Sequence, residues 1–202
     1  MSYKIYFFFQ FDQRRFPEDC SDKSFRERYR VPRSVLDHLE AALSVQLQHP
    51  TRRSQALAPR EQIKVLLHFL GSNSFYHDLG FSHGLATDTV FRTVHNVASA
   101  ISELHATVIK WPDNVSSVPR QFREKAGFPS VAGCLDGTHV LVTPPKDLED
   151  GFINRHQNHS LNVLGVCGPD LRFYYIYSSA PGRWHDSRVR AAKSQSIVIY
   201  IV

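Results

Sequence analysis

The stretch VAGCLDGTHVLV, residues 131–142, is where the pattern of this sequence changes from helical spacing to strand spacing. Before it, apolar residues recur at steps of three and four, which is typical of amphipathic helices. After it, short apolar runs are separated by turn sequences such as Gly168-Pro169-Asp170, which is typical of antiparallel strands. The sequence therefore predicts an α+β protein with a helical N-terminal half followed by a β-meander.

The C-terminal part contains three apolar runs that predict strands. The first covers 131–135 and is continued or followed by 138–142; the others cover 161–167 and 171–178. Pro181-Gly182 is expected to break the third strand. A helix over 185–193, capped by Asp186 or Ser187, is expected to follow.

The N-terminal half predicts a series of helices. They cover 24–47 with a break at Pro32, then 59–71, 73–79 and 87–104. The last two, joined by a turn containing Gly84, have the outline of a helix-turn-helix. An ordinary helical hairpin in a bundle explains the same spacing and is the more frequent outcome. In the helix-turn-helix interpretation the residues that would meet DNA are Thr87, Thr89, Arg92 and Thr93.

Composition sets limits on the class of protein. The 202 residues are 42% hydrophobic and 21% charged, which excludes a disordered chain. The net charge of +5 suits a nucleic-acid partner but does not select one. The apolar run at 5–9 is too short to cross a bilayer, so a soluble intracellular protein without membrane contact is expected. We predict a helical region over 1–112, a linker with a short helix over 113–128, and a second domain over 129–202.

Three cysteines, Cys20, Cys134 and Cys167, are too few and too widely spaced to predict a disulfide framework or a zinc site. Cys134 and Cys167 stand in apolar, strand-like runs. Free, buried thiols are therefore expected at both positions.

Asp136 is the first candidate for chemistry, because it stands where an apolar strand is expected to end. A carboxylate beside Gly137 can present an oxygen ligand to Mg²⁺ or Mn²⁺, which prefer hard oxygen donors. A turn aspartate that bonds to its own backbone is an equally good explanation. Asp186 is the second candidate, and it could instead cap the predicted helix.

Several motifs around these two acids occur in one order along the chain. Together they resemble the catalytic region of PIF/Harbinger transposases and of the nuclease-like proteins derived from them, over residues 24–192. The motifs are GCLDGTH at 133–139, NRH at 154–156, SLNV at 160–163, PG at 181–182 and HDSRV at 185–189, with FRERYR at 25–30 and AGFP at 126–129 upstream.

The resemblance implies a ribonuclease-H-like core that holds divalent metal, Mg or Mn, on a carboxylate set that includes Asp136 and Asp186. The implied reaction is phosphodiester hydrolysis in DNA by two metal ions. The family's Gly-Asp-Ser-Gly-Tyr segment and downstream Glu do not occur before Val202, so the expectation is an incomplete core, truncated at its C-terminus, with weak or absent activity. The resemblance also implies a nuclear location, with the cytoplasm as a second compartment.

A basic and polar loop separates the first two strands and suits contacts with backbone phosphate, although a solvated loop explains it equally well. Its residues are Lys146, Asn154, Arg155, His156 and His159, and Arg155 is the one retained as a nucleic-acid candidate. The leading hypothesis is a transposase-derived, metal-binding nuclease-like protein. The alternative is a DNA-binding or protein-interaction module without catalysis; a protein partner is compatible with both, and the oligomeric state is open.

Overall fold

The computed structural model describes residues 14–17, 20–51 and 55–184, without the side chain of Ala126. The chain divides into two compact units at the boundary between His105 and Ala106. The predicted helix over 185–193 lies outside the described residues. Each unit has a core of its own and is described separately.

The helical unit follows the predicted order of helices. Pro32 separates the first two helices as predicted, and the hydroxyl of Ser21 caps the first by accepting from the backbone N–H of Ser24 at 3.2 Å. The third helix passes through Gly71 and ends where Asn73 adopts the left-handed conformation, with φ of 52°. The helices are α1 (Asp22–Tyr29), α2 (Arg33–Leu47), α3 (Pro59–Ser72), α4 (Tyr76–His83) and α5 (Thr87–Glu103), with a short α6 (His105–Val108) at the boundary.

Apolar stripes on these helices form the core of the helical unit. On α5, Val90, Val94 and Val97 recur at steps of four and three and are at most 5% exposed. Thr93 lies on the same buried side at 7% exposure, so its predicted contact with DNA is wrong. No helix among the described residues is both long and apolar enough to cross a membrane.

The helices α4 and α5 are joined by a tight turn. Gly84 ends α4 in the left-handed conformation with φ of 66°, and α5 begins at Thr87. The helix predicted over 73–79 is displaced toward the C-terminus, because Asn73 is used as the cap of α3 and α4 begins only at Tyr76. A Cβ on Gly80 would lie 2.6 Å from the carbonyl oxygen of Leu85, so glycine is needed for the close approach of helix and turn.

A pair of histidines ties the segment 14–17 to α4. The backbone N–H of Arg15 donates to the carbonyl of His83 at 3.1 Å, and Nδ1 of His83 lies 3.1 Å from the carbonyl of Arg15. Because a carbonyl can only accept, Nδ1 of His83 carries the proton and Nε2 is an acceptor. Nδ1 of His68, 2.9 Å from that Nε2, is therefore the donor. Burial lowers the pKa of both rings, so both are neutral near pH 7, as this arrangement requires.

The second unit is built around a three-stranded antiparallel sheet in the order β1-β2-β3. The predicted meander is therefore present. The segment from 138 continues the first strand and does not form a separate one, because β1 pairs with β2 without interruption along its whole length. The strands are β1 (Cys134–Leu141), β2 (Ser160–Cys167) and β3 (Phe173–Pro181), preceded by α7 (Val118–Ala126) and with α8 (Glu149–Phe152) between β1 and β2.

The two faces of the sheet differ in burial. Along β2 the residues alternate between fully and partly buried, and the fully buried set is Ser160, Asn162, Leu164 and Val166. A separate buried cluster is formed by Val118 and Phe122 of α7, packed with Tyr174 of β3 and Trp111. The opposite face, which carries Val163 and Gly165, is partly open.

Candidate functional site

Asp136 lies on the open face of the sheet, as the third residue of β1. It is paired in register with Gly165, so the two residues share a face. Its side chain is exposed, and Oδ1 accepts from the backbone N–H of Gly137 at 2.9 Å. Asp136 was expected at the end of a strand, but it lies near the start of a continuous one. A paired strand holds its backbone more firmly than a turn would.

The neighbours of Asp136 on this face are mostly apolar. Gly165 has no side chain, and the ring of Phe173 fills part of that space, since a Cβ on Gly165 would lie 2.9 Å from its Cε1. Among the residues that the structure describes, no group of three His, Cys, Asp or Glu is placed to hold a metal ion. Asp136 therefore offers one exposed hard-oxygen donor, which fits a divalent ion but does not by itself make a site. Asp186, the second predicted ligand, lies outside the described residues.

The opposite face carries a polar cluster, which we call the Ser160 network: the buried Asn154 and Ser160 and the exposed His139. Ser160 is fully buried; its Oγ accepts from Nδ2 of Asn154 at 3.0 Å and lies 3.0 Å from Nδ1 of His139. Oγ of Ser160 already accepts from Asn154. If its hydroxyl donates to Nδ1 of His139, every polar group of the network has a partner. Ser160 is thus a buried structural hydroxyl.

Asn154 shapes the loop between α8 and β2. Its Oδ1 accepts from the backbone N–H groups of His156 at 2.9 Å and Asn158 at 3.1 Å, and the residue is 5% exposed. The predicted contact of Asn154 with phosphate is therefore wrong, because its amide is used inside the protein. Arg155 is exposed, with Nε 3.2 Å from Nε2 of His156.

The same face anchors the chain where it leaves β3. The backbone N–H of Gly182 donates to the carbonyl of Ser160 at 2.8 Å, and Nδ2 of Asn162 donates to the carbonyl of Trp184 at 2.9 Å. Gly182 lies so close that a Cβ there would be 2.3 Å from Oγ of Ser160. The sequence reasoning missed these structural roles. The available signal was the pair of polar residues, Ser160 and Asn162, on alternate positions of an otherwise apolar strand.

The candidates for DNA contact on α5 lie in the helical unit. Thr87 and Arg92 are exposed and Thr89 is half-buried. Arg92 forms an ion pair with Asp88 one turn earlier, so a phosphate would have to compete with this carboxylate. The other candidate, Arg155, belongs to the sheet unit.

The cysteines differ from the prediction that both strand cysteines are buried. Cys134 is exposed and Cys167 is half-buried. Burial raises the pKa of the Cys167 thiol, and the nearby Cys134 raises it further. The difference arises because both cysteines lie on the open face of the sheet, which the apolar run alone could not distinguish from the buried one.

Comparison with known proteins identifies relatives over most of the chain. Residues 135–197 match the family model described as DDE superfamily endonuclease. The chain is 32% identical to "Putative nuclease HARBI1" of Rattus norvegicus and 31% identical to that of Homo sapiens, each over 89% of this chain and 52% of the relative. It is 22% identical to "Protein ALP1-like" of Arabidopsis thaliana over 89% of this chain and 46% of that protein. No solved structure matches the chain.

Proposed function

We propose that the chain is a transposase-derived endonuclease of the DDE superfamily, which binds divalent metal at Asp136 and acts on phosphodiester bonds of DNA. The chain spans about half the length of the curated relatives that it matches. The observation that carries the proposal is the position of Asp136. It stands within the matched segment, exposed and fixed on a paired strand.

Divalent metal is in general use among endonucleases of this superfamily. Asp136 would supply one carboxylate, and Asp186, which follows Trp184 by two residues in the sequence, would supply another. A bound Mg²⁺ or Mn²⁺ would stabilise negative charge on the oxygens of the scissile phosphate. The contribution of the chain is to hold the Asp136 carboxylate in a fixed direction. A ribonuclease-H-like core that includes β1, β2 and β3 is part of the proposal.

Calorimetric titration with Mn²⁺ tests the metal ligand directly. We expect Asp136→Asn, which keeps the shape of the side chain and removes its charge, to weaken Mn²⁺ binding at least tenfold. Asp170→Asn is the matched control, because Asp170 is a turn aspartate whose Oδ1 accepts from the backbone N–H of Arg172 at 3.3 Å. Equal affinity of the wild type and Asp136→Asn would refute the metal site.

A second function is favoured by a separate observation, the helix pair α4 and α5 with its tight Gly84 turn. This arrangement has the outline of a helix-turn-helix with α5 in the position of the recognition helix. In this function the chain would bind DNA, or a protein partner, through this element and leave it intact. In either function the proposed location is the nucleus, where DNA is available, with the cytoplasm as the second compartment.

Incubation of the full chain with labelled duplex DNA and Mn²⁺ distinguishes the two functions. Cleavage that is lost in Asp136→Asn supports the nuclease. Salt-sensitive binding without cleavage, unchanged in Asp136→Asn, supports the binding module. Absence of binding at low salt would count against both functions.

A further inference from the structure

Two cysteines face each other across β1 and β2. Cys134 is the first residue of β1 and Cys167 the last of β2, and the register makes them direct partners. Partners in an antiparallel pair project to the same face, with Cα atoms about 4.5–5.5 Å apart. A disulfide requires about 4.4–6.8 Å between Cα atoms. The backbone therefore already holds these two residues at disulfide distance.

The surroundings of the pair allow a reagent to reach it. Cys134 is exposed, Cys167 is half-buried, and both thiols are free. The two thiols are near enough to interact electrostatically. The third cysteine, Cys20, belongs to the helical unit, where its Sγ lies 3.9 Å from the carbonyl of Pro17. Cys134 and Cys167 are thus an accessible thiol with a second thiol directly beside it.

We propose that Cys134 and Cys167 form a reversible disulfide on exposure to a hydroperoxide. The exposed sulfur of Cys134 attacks one peroxide oxygen, the O–O bond breaks, and a sulfenic acid and one water are formed with hydrogen peroxide as oxidant. The sulfur of Cys167 then attacks the sulfenic sulfur, the S–O bond breaks, and a second water leaves. Overall, two thiols lose two electrons and two protons, and one hydrogen peroxide becomes two waters.

The exposure of Cys134 makes this disulfide easy to reduce. An exposed disulfide is open to attack by a reducing thiol and is more labile than a buried structural one. The cross-link would fix β1 to β2 two residues from Asp136. The proposal does not depend on metal binding at Asp136.

Peptide mapping of the whole wild-type chain tests the proposal. The protein is treated with one equivalent of hydrogen peroxide, remaining thiols are alkylated, and the chain is digested with trypsin. We expect an intact mass lower by two hydrogens and a linked pair of peptides, 126–146 with 156–172. Dithiothreitol should restore both thiols.

Two variants serve as controls. Cys20→Ser should still give the linked peptides, whereas Cys167→Ser should leave a sulfenic acid on Cys134 that dimedone traps. Four results would overturn the proposal: sulfinic acid on Cys134 of the wild type, a link to peptide 16–23 that carries Cys20, a disulfide between two chains, or no oxidation.

Discussion

At the scale of single residues, the motifs that resemble the transposase family have two different roles. Asp136 lies exposed on one face of the sheet, where it can meet a ligand. His139, three residues later, joins Ser160 and Asn154 on the other face, where the polar groups bond to one another. Part of the motif series is thus a structural requirement of the sheet and its loop.

Gly182→Ala is expected to destabilise the sheet unit by about 1–3 kcal/mol, the usual cost of overpacking. The added Cβ would lie 2.3 Å from Oγ of Ser160 and 2.5 Å from the carbonyl oxygen of Phe152. Gly151→Ala is the matched control, since a Cβ there meets nothing within 4 Å. Urea unfolding followed by tryptophan fluorescence measures both. Equal stability of the two variants would show that Gly182 is not a packing requirement.

At the scale of elements, α4 connects the segment 14–17 to α5. Its C-terminus holds the segment 14–17 through His83, and its turn leads into α5, which carries the DNA candidates. Burial lowers the pKa of His68 to about 4, and the proximity of His83 and of the charged Arg28 contributes to the shift. Burial also lowers the pKa of His83, with further lowering by Arg28 and Lys64 and an opposing effect from its bond to Arg15.

The histidine pair predicts a loss of stability on acidification. His68 stays neutral in the folded chain down to about pH 4, whereas in the unfolded chain it gains a proton below its ordinary pKa of 6.5. The unfolded state therefore binds more protons between these values, and the stability falls as the pH falls. We expect a loss of about 1 kcal/mol from pH 7 to pH 5, because solvent screens the half-buried ring of His68, measured by urea unfolding.

Two histidine variants identify the source of this loss. His68→Gln should reduce the pH dependence between pH 7 and pH 5. His77→Gln should leave it unchanged, because the side chain of His77 is 82% exposed. An unchanged pH dependence in His68→Gln would contradict the assignment.

The ion pair on α5 predicts opposite effects of two substitutions on DNA binding. Arg92→Ala should weaken binding and reduce the dependence of log K on log salt by about one unit. Asp88→Ala should strengthen binding, because it removes the carboxylate that pairs with Arg92. Fluorescence anisotropy at several salt concentrations measures both, with Arg120→Ala on α7 as the control. If Arg92→Ala binds like the wild type, α5 does not contact DNA.

At the scale of the whole molecule, the chain consists of two units, each with its own buried core. The helical unit contains the helix-turn-helix candidate, and the sheet unit contains Asp136 and the cysteine pair. A substitution in one core should therefore first destabilise the unit to which that core belongs.

Leu36→Ala tests this independence, since Leu36 is fully buried in the helical core. We expect a destabilisation of about 2–5 kcal/mol, seen as faster amide exchange over 22–103. Exchange in β1, β2 and β3 should stay at the wild-type rate when followed by mass spectrometry. Equal acceleration across both units would show that they unfold together.

The sequence by itself determined the order of helices, the β-meander, the resemblance to the endonuclease family and the choice of Asp136 for mutation. Each of these depends on local spacing or on a contiguous motif, which a chain carries regardless of its tertiary contacts. Local spacing also placed the start of α4 too early. In the structure Asn73 ends α3, so α4 begins only at Tyr76.

Only the tertiary structure decided which face of the sheet each strand residue occupies. Alternation along a strand separates two faces, but the pairing register determines which residues meet across strands and which face is buried. That register opposes Cys134 to Cys167, although they are widely separated in the sequence, and it places Asp136 and Ser160 on opposite faces. Both results come from contacts between distant segments, which a local pattern does not contain.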